Sequence, residues 1–492
     1  MTDRAQPAIV PLPAGIRLTL DAGTRQLDAG TLFGGAPARI LRLSAAGRAA
    51  FAELAAGPVH DGPTGRLARR LTDAGVSHPQ VQPVSQRLDL TVLIPVRDRP
   101  ELLARCLQAL GADYPVLVVD DGSDRLGAIA EVARAHGARL LVRASNGGPG
   151  AARNTGLDEV SSEFVALIDS DCIPPAGWLA ALAGHLADPL VAAVAPRIVA
   201  LPAAGWAGRL SQARCGLDLG PQPARVLPTG RVRYLPTAAL LVRRSSLLAV
   251  GQPPHGGSGP FDERLRVGED VDLIWRLHGA GWRIRYAPEV SVGHREPGNW
   301  SGLLRRRFRY GTSAAPLALR HPSAMAPLVL RPWPTATVAG LLAGAPALAA
   351  AGFGGSVLAN RRSLRRAGVP AGGVLRASAG ATVQTWLGLG RYSTQFWAAV
   401  LLGSVVRPGG HRRAHWRRVA TASLLLGPPL AGWWRDRPDL DLASSVAGQL
   451  ADDLAYGAGV WAGVLAERTT IPLRPVLHRR PVRIEPQPHN TP

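Results

Sequence analysis

From Leu88 onward the chain alternates short, unbroken apolar runs with amphipathic ones, and this alternation constrains the fold more than any other feature of its 492 residues. Residues 91–96 (TVLIPV) read as a strand buried on both faces, with a helix expected over 100–110. Residues 116–119 (VLVV) form the next strand, with a helix over 127–136, and 140–142 and 164–168 continue the series. Uninterrupted apolar strands need cover on both faces, so the segment reads as an α/β domain with a mostly parallel sheet. Such sheets bind ligands beyond the carboxyl ends of their strands. Acids stand at those ends here: Asp120-Asp121-Gly122-Ser123 after the second strand and Asp169-Ser170-Asp171 after the fourth.

The rest of the chain divides around this domain. In residues 1–86, alternating stretches at 16–20 and 40–43 predict strands. Ser44 is placed to cap a helix over 45–55, and Thr64 one over 65–74, which together suggest a small winged-helix-like module. Residues 78–83 (HPQVQP) read as a linker. Beyond Arg331, 29 residues (332–360) carry no charge, enough to cross a hydrocarbon core of about 30 Å. A membrane helix is expected over 335–358, either spanning or re-entrant; a helical bundle lying on the membrane is the other reading. Cys106, Cys172 and Cys215 are too few and too irregularly spaced for a disulfide framework or a zinc knuckle, which fits a reducing compartment. No basic-then-apolar leader opens the chain, so secretion is not expected.

Charge narrows the partners. The net charge is +21, and every basic residue is arginine. Residues 301–492 hold 24 of those arginines against 7 acids, a net +17, while residues 1–88 reach only +4. A DNA-binding module concentrates its basic face, so a winged-helix regulator is the weaker reading and no nucleic-acid partner is expected. Anionic lipid at the cytoplasmic face of the cell membrane suits the basic tail better, with a cytoplasmic location as the alternative.

Several groups carry chemistry. Asp121 could accept a hydrogen bond from a nucleobase, although Asp-Gly after a strand also makes an ordinary turn. Asp169 and Asp171, one residue apart, could grip Mg²⁺ or Mn²⁺ together with the ribose or diphosphate of a substrate. The run Asn146-Gly147-Gly148-Pro149-Gly150-Ala151-Ala152-Arg153 follows a strand and opens a helix. It is no dinucleotide fingerprint, because Arg153 stands where close packing needs Gly or Ala. It suits a nucleotide-sugar site with Arg153 toward the diphosphate. Gly268-Glu269-Asp270 opens a further helix, where acids complement the dipole or Asp270 serves as a base. His294 is a candidate third metal ligand, and the arginines at 305–309 could close over a departing diphosphate.

Taken in order, these motifs resemble family 2 glycosyltransferases of the GT-A fold over residues 89–312. The resemblance implies Pro95, Arg97 and Asp121 at the nucleobase end, and Arg153 and Asp169 by the ribose and diphosphate. It also implies Asp171 and His294 on the metal, Asp270 as general base with Glu269 supporting it, and Arg306 and Arg309 on the leaving group. Processive synthases carry Gln-x-x-Arg-Trp, which Arg306-Phe308-Arg309-Tyr310 only echoes, so a non-processive transferase is expected. Residues 34–44 and 67–76 look like a diverged PqqD-like peptide-recognition module. With the arginine-rich tail (313–492), the whole resembles the mycofactocin-system glycosyltransferases. That implies inverting, β-linked glucosyl transfer from UDP-glucose to a peptide-derived redox cofactor, giving an oligoglycosylated product, with other enzymes of the same pathway as possible partners. A lipid-linked or envelope-glycan acceptor is the alternative with the same site.

Overall fold

The computed structural model describes residues 10–203, 205–253, 258–365, 371–408 and 410–477. The protein divides into two compact units. One takes the chain up to Leu201 together with Cys215–Arg295; the other takes Pro202–Arg214 and Glu296–Ile484. The amino-terminal module and the transferase sheet share one unit.

The module comprises β1 (Arg17–Leu20), β2 (Arg25–Asp28), β3 (Thr31–Gly34), β4 (Arg39–Arg42), α1 (Ala45–Ala56), α2 (Pro63–Asp73) and β5 (Ser77–Gln80). Ser44 caps α1 as expected, its hydroxyl accepting from the Gly47 amide at 3.2 Å. Thr64 does not cap α2. Pro63 already begins that helix, and the Thr64 hydroxyl donates back to the His60 carbonyl at 2.6 Å. Part of the expected linker is a strand, because β5 pairs antiparallel with β1. Leu12, Leu32, Leu54, Val59, Leu71 and Val76 make the core. The module is fastened to the transferase domain by Arg69, fully buried, whose Nη1 and Nη2 donate to Asp188 at 2.6 and 2.7 Å.

The transferase domain runs β6 (Leu90–Val96), α3 (Pro100–Leu110), β7 (Val116–Asp120), α4 (Leu126–Ala135), β8 (Arg139–Val142), α5 (Pro149–Asp158), β9 (Phe164–Ile168) and β10 (Cys172–Ile173). It continues through α6 (Trp178–Ala183), β11 (Val191–Ala200), β12 (Ala224–Arg225), β13 (Ala239–Arg243), α8 (Arg244–Val250), α9 (Glu269–Gly279) and β14 (Arg283–His294); α7 (Gly205–Ala213) belongs to the other unit. Every residue of β9 is buried, and each of its large apolar side chains contributes about 1.5–3 kcal/mol by leaving water. On α3, Leu103, Cys106 and Leu107 recur at helical spacing and are the positions that meet the sheet. The packing of α5 is closer still: a Cβ on Gly156 would run into Leu93. The nine strands lie in the order β10-β14-β11-β13-β9-β6-β7-β8, with β12 beside β14. β8, β7, β6 and β9 follow the expected parallel pattern, and β11 and β14 also pair in parallel. β13 runs antiparallel to β9, and β10 and β12 antiparallel to β14, so the sheet is mixed. The parallel half ends where the βα alternation of the sequence ends.

The second unit is helical: α7, α10 (Trp300–Thr312), α11 (Ala314–Arg320), α12 (Pro332–Leu342), α13 (Pro346–Arg365), α14 (Ala371–Val406), α15 (His411–Asp436) and α16 (Leu442–Ala466). Two short strands, β15 (Val329–Leu330) and β16 (Val476–Leu477), pair in parallel. Phe396, Val460, Val464 and Leu473 sit in its core. Asp452 and Asp453, both buried on α16, tie it together: Asp452 accepts from Arg214 at 3.0 Å and from Arg307, and Asp453 from Arg391 at 3.0 Å. The helix expected over 335–358 is not continuous. Gly344 takes φ = 65° and Pro346 starts a new helix, so the uncharged run folds as α12 and the first part of α13. At 1.5 Å per residue the 11 residues of α12 reach about 16 Å. No helix among the described residues is long and apolar enough to cross a membrane.

Candidate active site

The carboxyl ends of β6, β7 and β9 and the start of α9 bring the sequence motifs together. Arg153, on α5, is their hub. It is 2% exposed, and its Nη1 and Nη2 donate to Glu269 and Asp169, each at 2.7 Å. Its guanidinium also lies over the Phe261 ring, 5.6 Å from the centroid. Burial alone would depress its pKa, but Asp169 and Glu269 outweigh that and hold it above the usual value. The expected role toward a diphosphate is thus joined by an internal one: Arg153 bridges the end of β9 to α9. Asn154, the next residue, pins the loop before α9 by accepting from the Phe261 amide at 3.0 Å and donating to the Phe261 carbonyl at 2.9 Å.

Glu269 and Asp270 form the first turn of α9 behind Gly268, whose φ of 88° only glycine adopts readily. Burial pushes both carboxyls up. Glu269 is raised by desolvation against the pull of Arg153. Asp270 reaches about 7, through burial first and then the neighbouring charge of Glu269, with the Val271 amide and Arg153 opposing. A carboxyl at that value, still partly accessible, is poised to take a proton near neutral pH.

At the end of β9 a second cluster forms. Asp171 Oδ1 lies 3.5 Å from His294 Nε2 and Oδ2 accepts from Arg99 Nη1 at 2.8 Å. Cys172 and His294 pair across β10 and β14, and one ligand atom from each of Asp171, Cys172 and His294 lies within 4.8 Å of the others. The carboxylate is a donor of the kind Mg²⁺ or Mn²⁺ takes, and the imidazole beside it is a donor for divalent transition metals. Cys172 fits less well, since its Sγ donates to the Ala238 carbonyl at 3.1 Å and burial holds the thiol far above its ordinary pKa. Asp169 and Asp171 therefore separate: Asp169 faces Arg153, and Asp171 faces His294.

Asp121 is already engaged. Its oxygens accept from the amides of Gly147 at 2.8 Å and Gly148 at 2.7 Å and from Arg143 Nε at 3.0 Å. In this structure it shapes the glycine loop that a nucleotide would approach. Its neighbour Asp120 accepts from the Ser123 amide at 3.0 Å. Pro95 lies on β6, and Arg97 follows it, half-exposed, 3.5 Å from Asp98. Arg306 and Arg309 stand on α10 in the helical unit, where Arg306 donates to Glu296 at 3.1 Å and Arg309 is exposed. Sequence reading missed Arg99 and Arg143. Both sit just past a strand end, which was the available signal.

Residues 91–247 match the family described as Glycosyl transferase family 2. A pre-mycofactocin glycosyltransferase of Mycobacterium tuberculosis is 37% identical over 489 residues, covering 94% of this chain and 98% of that protein. The chain belongs to glycosyl transferase family 2. This glycosyltransferase also resembles glycosyltransferase AglE of Haloferax volcanii, at 27% identity over 45% of the chain and 71% of the relative. Among solved structures it is similar to the mannosyltransferase PcManGT of Pyrobaculum calidifontis in complex with GDP-Man and Mn²⁺. That likeness is at 19% identity and a TM-score of 0.37, covering 71% of this chain and 90% of that one. The family 2 transferase carries an α/β core in which Arg153 joins Asp169 to Glu269, next to Asp270, and Asp171 meets His294.

Proposed function

We propose that this family 2 glycosyltransferase is an inverting enzyme that moves glucose, in β linkage, from UDP-glucose to a peptide-derived redox cofactor of the pre-mycofactocin kind. The observation that carries the chemistry is Asp270, a carboxyl raised to about 7 in the first turn of α9, one residue from the Glu269 that Arg153 holds. The acceptor assignment is supported by similarity to the pre-mycofactocin glycosyltransferase along nearly the whole of both chains.

In the reaction, Asp270 takes the proton of an acceptor hydroxyl. The oxygen forms a bond to the anomeric carbon, and the bond from that carbon to the diphosphate breaks, its electron pair leaving with the nucleotide. Arg153 holds Asp169 and Glu269 in place and keeps their charges from pressing the Asp270 pKa higher still. Asp171 and His294 would hold Mg²⁺ or Mn²⁺, which supplies positive charge to a leaving diphosphate. Arg306 and Arg309 remain candidates for the leaving group, and Pro95, Arg97 and Asp121 for the nucleobase end. Residues 10–80 would serve as a PqqD-like recognition module. The helical unit would rest on anionic lipid at the cytoplasmic face of the cell membrane, supported by its many exposed apolar side chains. That same surface favours a second reading, a lipid-linked acceptor.

Incubating the enzyme with UDP-glucose, Mn²⁺ and a small peptide-derived aglycone tests the proposal. A mass increment of one hexose with inverted anomeric configuration is expected. Label passing only into organic-soluble lipid would move the assignment to the second reading.

A further inference from the structure

Where α2 meets the transferase sheet, arginines crowd together with too few acids to balance them. Arg225 on β12 stands directly opposite Arg285 on β14, and Arg283 lies two residues along the same strand face. Like charges in register across a strand pair repel. Asp73, the last residue of α2, answers part of this charge: it accepts from Arg283 Nη2 at 2.9 Å and lies 3.5 Å from Arg225 Nη1. Asp188 is taken up by the two bonds from Arg69. Arg285 is left over. It is 2% exposed, and its Nε, Nη1 and Nη2 have no hydrogen-bond partner, nor has the buried Nε of Arg225.

A buried guanidinium with three unsatisfied nitrogens is among the most costly arrangements a folded chain can hold, because the desolvation of the charge is uncompensated. Desolvation pushes the Arg285 pKa down to about 10, with Asp73 opposing and Arg225 adding to the depression. Arg69, Arg225, Arg283 and Arg285, with Arg39 close enough to act on Arg225, meet the carboxylates of Asp73 and Asp188 in this seam, which leaves it in positive excess.

We propose that this seam, between the amino-terminal module and the transferase sheet, is a binding site for a small oxyanion, with Arg285 as its principal donor and Arg225 Nε as a second. A phosphate or a carboxylate presents the paired oxygens that a guanidinium fork receives. The four nitrogens are closed to solvent, so the ion enters as the seam parts by about its own width. The site is separate from the one that faces substrate. Arg285 and His294 on β14 stand opposite Val194 and Ala200 of β11, six residues apart and about 20 Å along the sheet.

The full-length protein is titrated with inorganic phosphate at constant ionic strength set with chloride, following Tm and amide hydrogen exchange. A Tm rise that grows with the logarithm of phosphate concentration is expected, about 2–3 °C at ten times the dissociation constant. Slowed exchange is expected in residues 69–78, 224–226 and 283–287. Arg285→Met, which keeps the volume and removes the charge, should lose both responses while its Tm without phosphate stays equal to or above that of the unmodified chain. Acetate at the same concentrations separates a carboxylate preference from a phosphate one; a response to either supports the site. Equal responses in Arg285→Met and the unmodified chain, or no response in the unmodified chain, would overturn the proposal. So would a Met variant several degrees less stable without phosphate, since Arg285 would then be a partner in the fold and not a vacant donor.

Discussion

The two units bury ionic groups alike but differ in where their apolar side chains face. In the transferase unit ionic groups turn inward: Arg69, Arg153 and Arg285 are buried in its interior, and Glu269, Asp188 and Asp121 with them. In the helical unit apolar groups turn outward. Among the described residues, 23 of the 28 exposed large apolar side chains belong to it, and only Val10, Leu20, Leu126, Val142 and Leu248 to the other. They include Leu341 on α12, Val383, Val400, Leu402 and Val406 on α14, and Trp434 on α15. A lone exposed leucine signifies nothing, but a succession on neighbouring helices marks a surface that meets something apolar. Buried ion pairs hold each unit together, whereas outward apolar side chains concentrate in the helical one.

The comparison can be broken first at the base. Asp270→Asn should lower turnover about 10²–10⁴-fold with donor binding intact, measured by nucleotide release and by calorimetry. If donor affinity falls in step with rate, Asp270 is a binding group and the assignment fails. Next comes the hub. Arg153→Met leaves Asp169 and Glu269 without their cation and should cost about 3–5 kcal/mol in denaturant unfolding, whereas a loss below about 1 kcal/mol would mean the carboxylates are stable alone. On the other side of the comparison, Leu402→Asp with Val406→Asp should weaken sedimentation with phosphatidylglycerol vesicles about tenfold or more. Undiminished sedimentation would show that the outward apolar residues serve another partner.

A smaller effect concerns pH. The folded pKa of Asp270, about 7, lies above its ordinary 3.8, so the folded state binds that proton more tightly than the unfolded one. Stability from this group is full at low pH and falls as pH rises through the interval from about 4 to 7. Activity runs the other way, with kcat/KM dropping about tenfold per unit below pH 7 because the base must be ionised. A flat profile between pH 5.5 and 7 would exclude Asp270 as the base. Smallest of all, the paired aspartates at 402 and 406 should change unfolding free energy by less than about 0.5 kcal/mol, since both sites are exposed.

Much of the parallel half of the sheet was legible beforehand. The helix expected over 100–110 coincides with α3 and the strand expected over 164–168 with β9, because continuous apolar runs and helical spacing are local signals. The antiparallel half was not, since the pairing of β13 with β9 joins residues about 75 positions apart and no local pattern encodes it. The same distance hid Arg99, whose partner Asp171 lies 72 residues on, while the Asp-x-Asp itself stood out as an adjacent pair. The uncharged run 332–360 misled for a different reason: absence of charge is not continuity of helix. One left-handed glycine and one proline decide that locally.

The bonds that Asp121 makes to Gly147 and Gly148 have a thermodynamic consequence for donor recognition. A loop rich in glycine loses more backbone freedom on ordering than any other kind, and here the carboxylate has already fixed it. On the proposed reading, in which the donor docks against this loop, the nucleotide would meet a finished cradle and its association should carry a small entropic penalty. Asp121→Ala would return that ordering cost to the binding step, where calorimetry would register it as a more negative entropy of association.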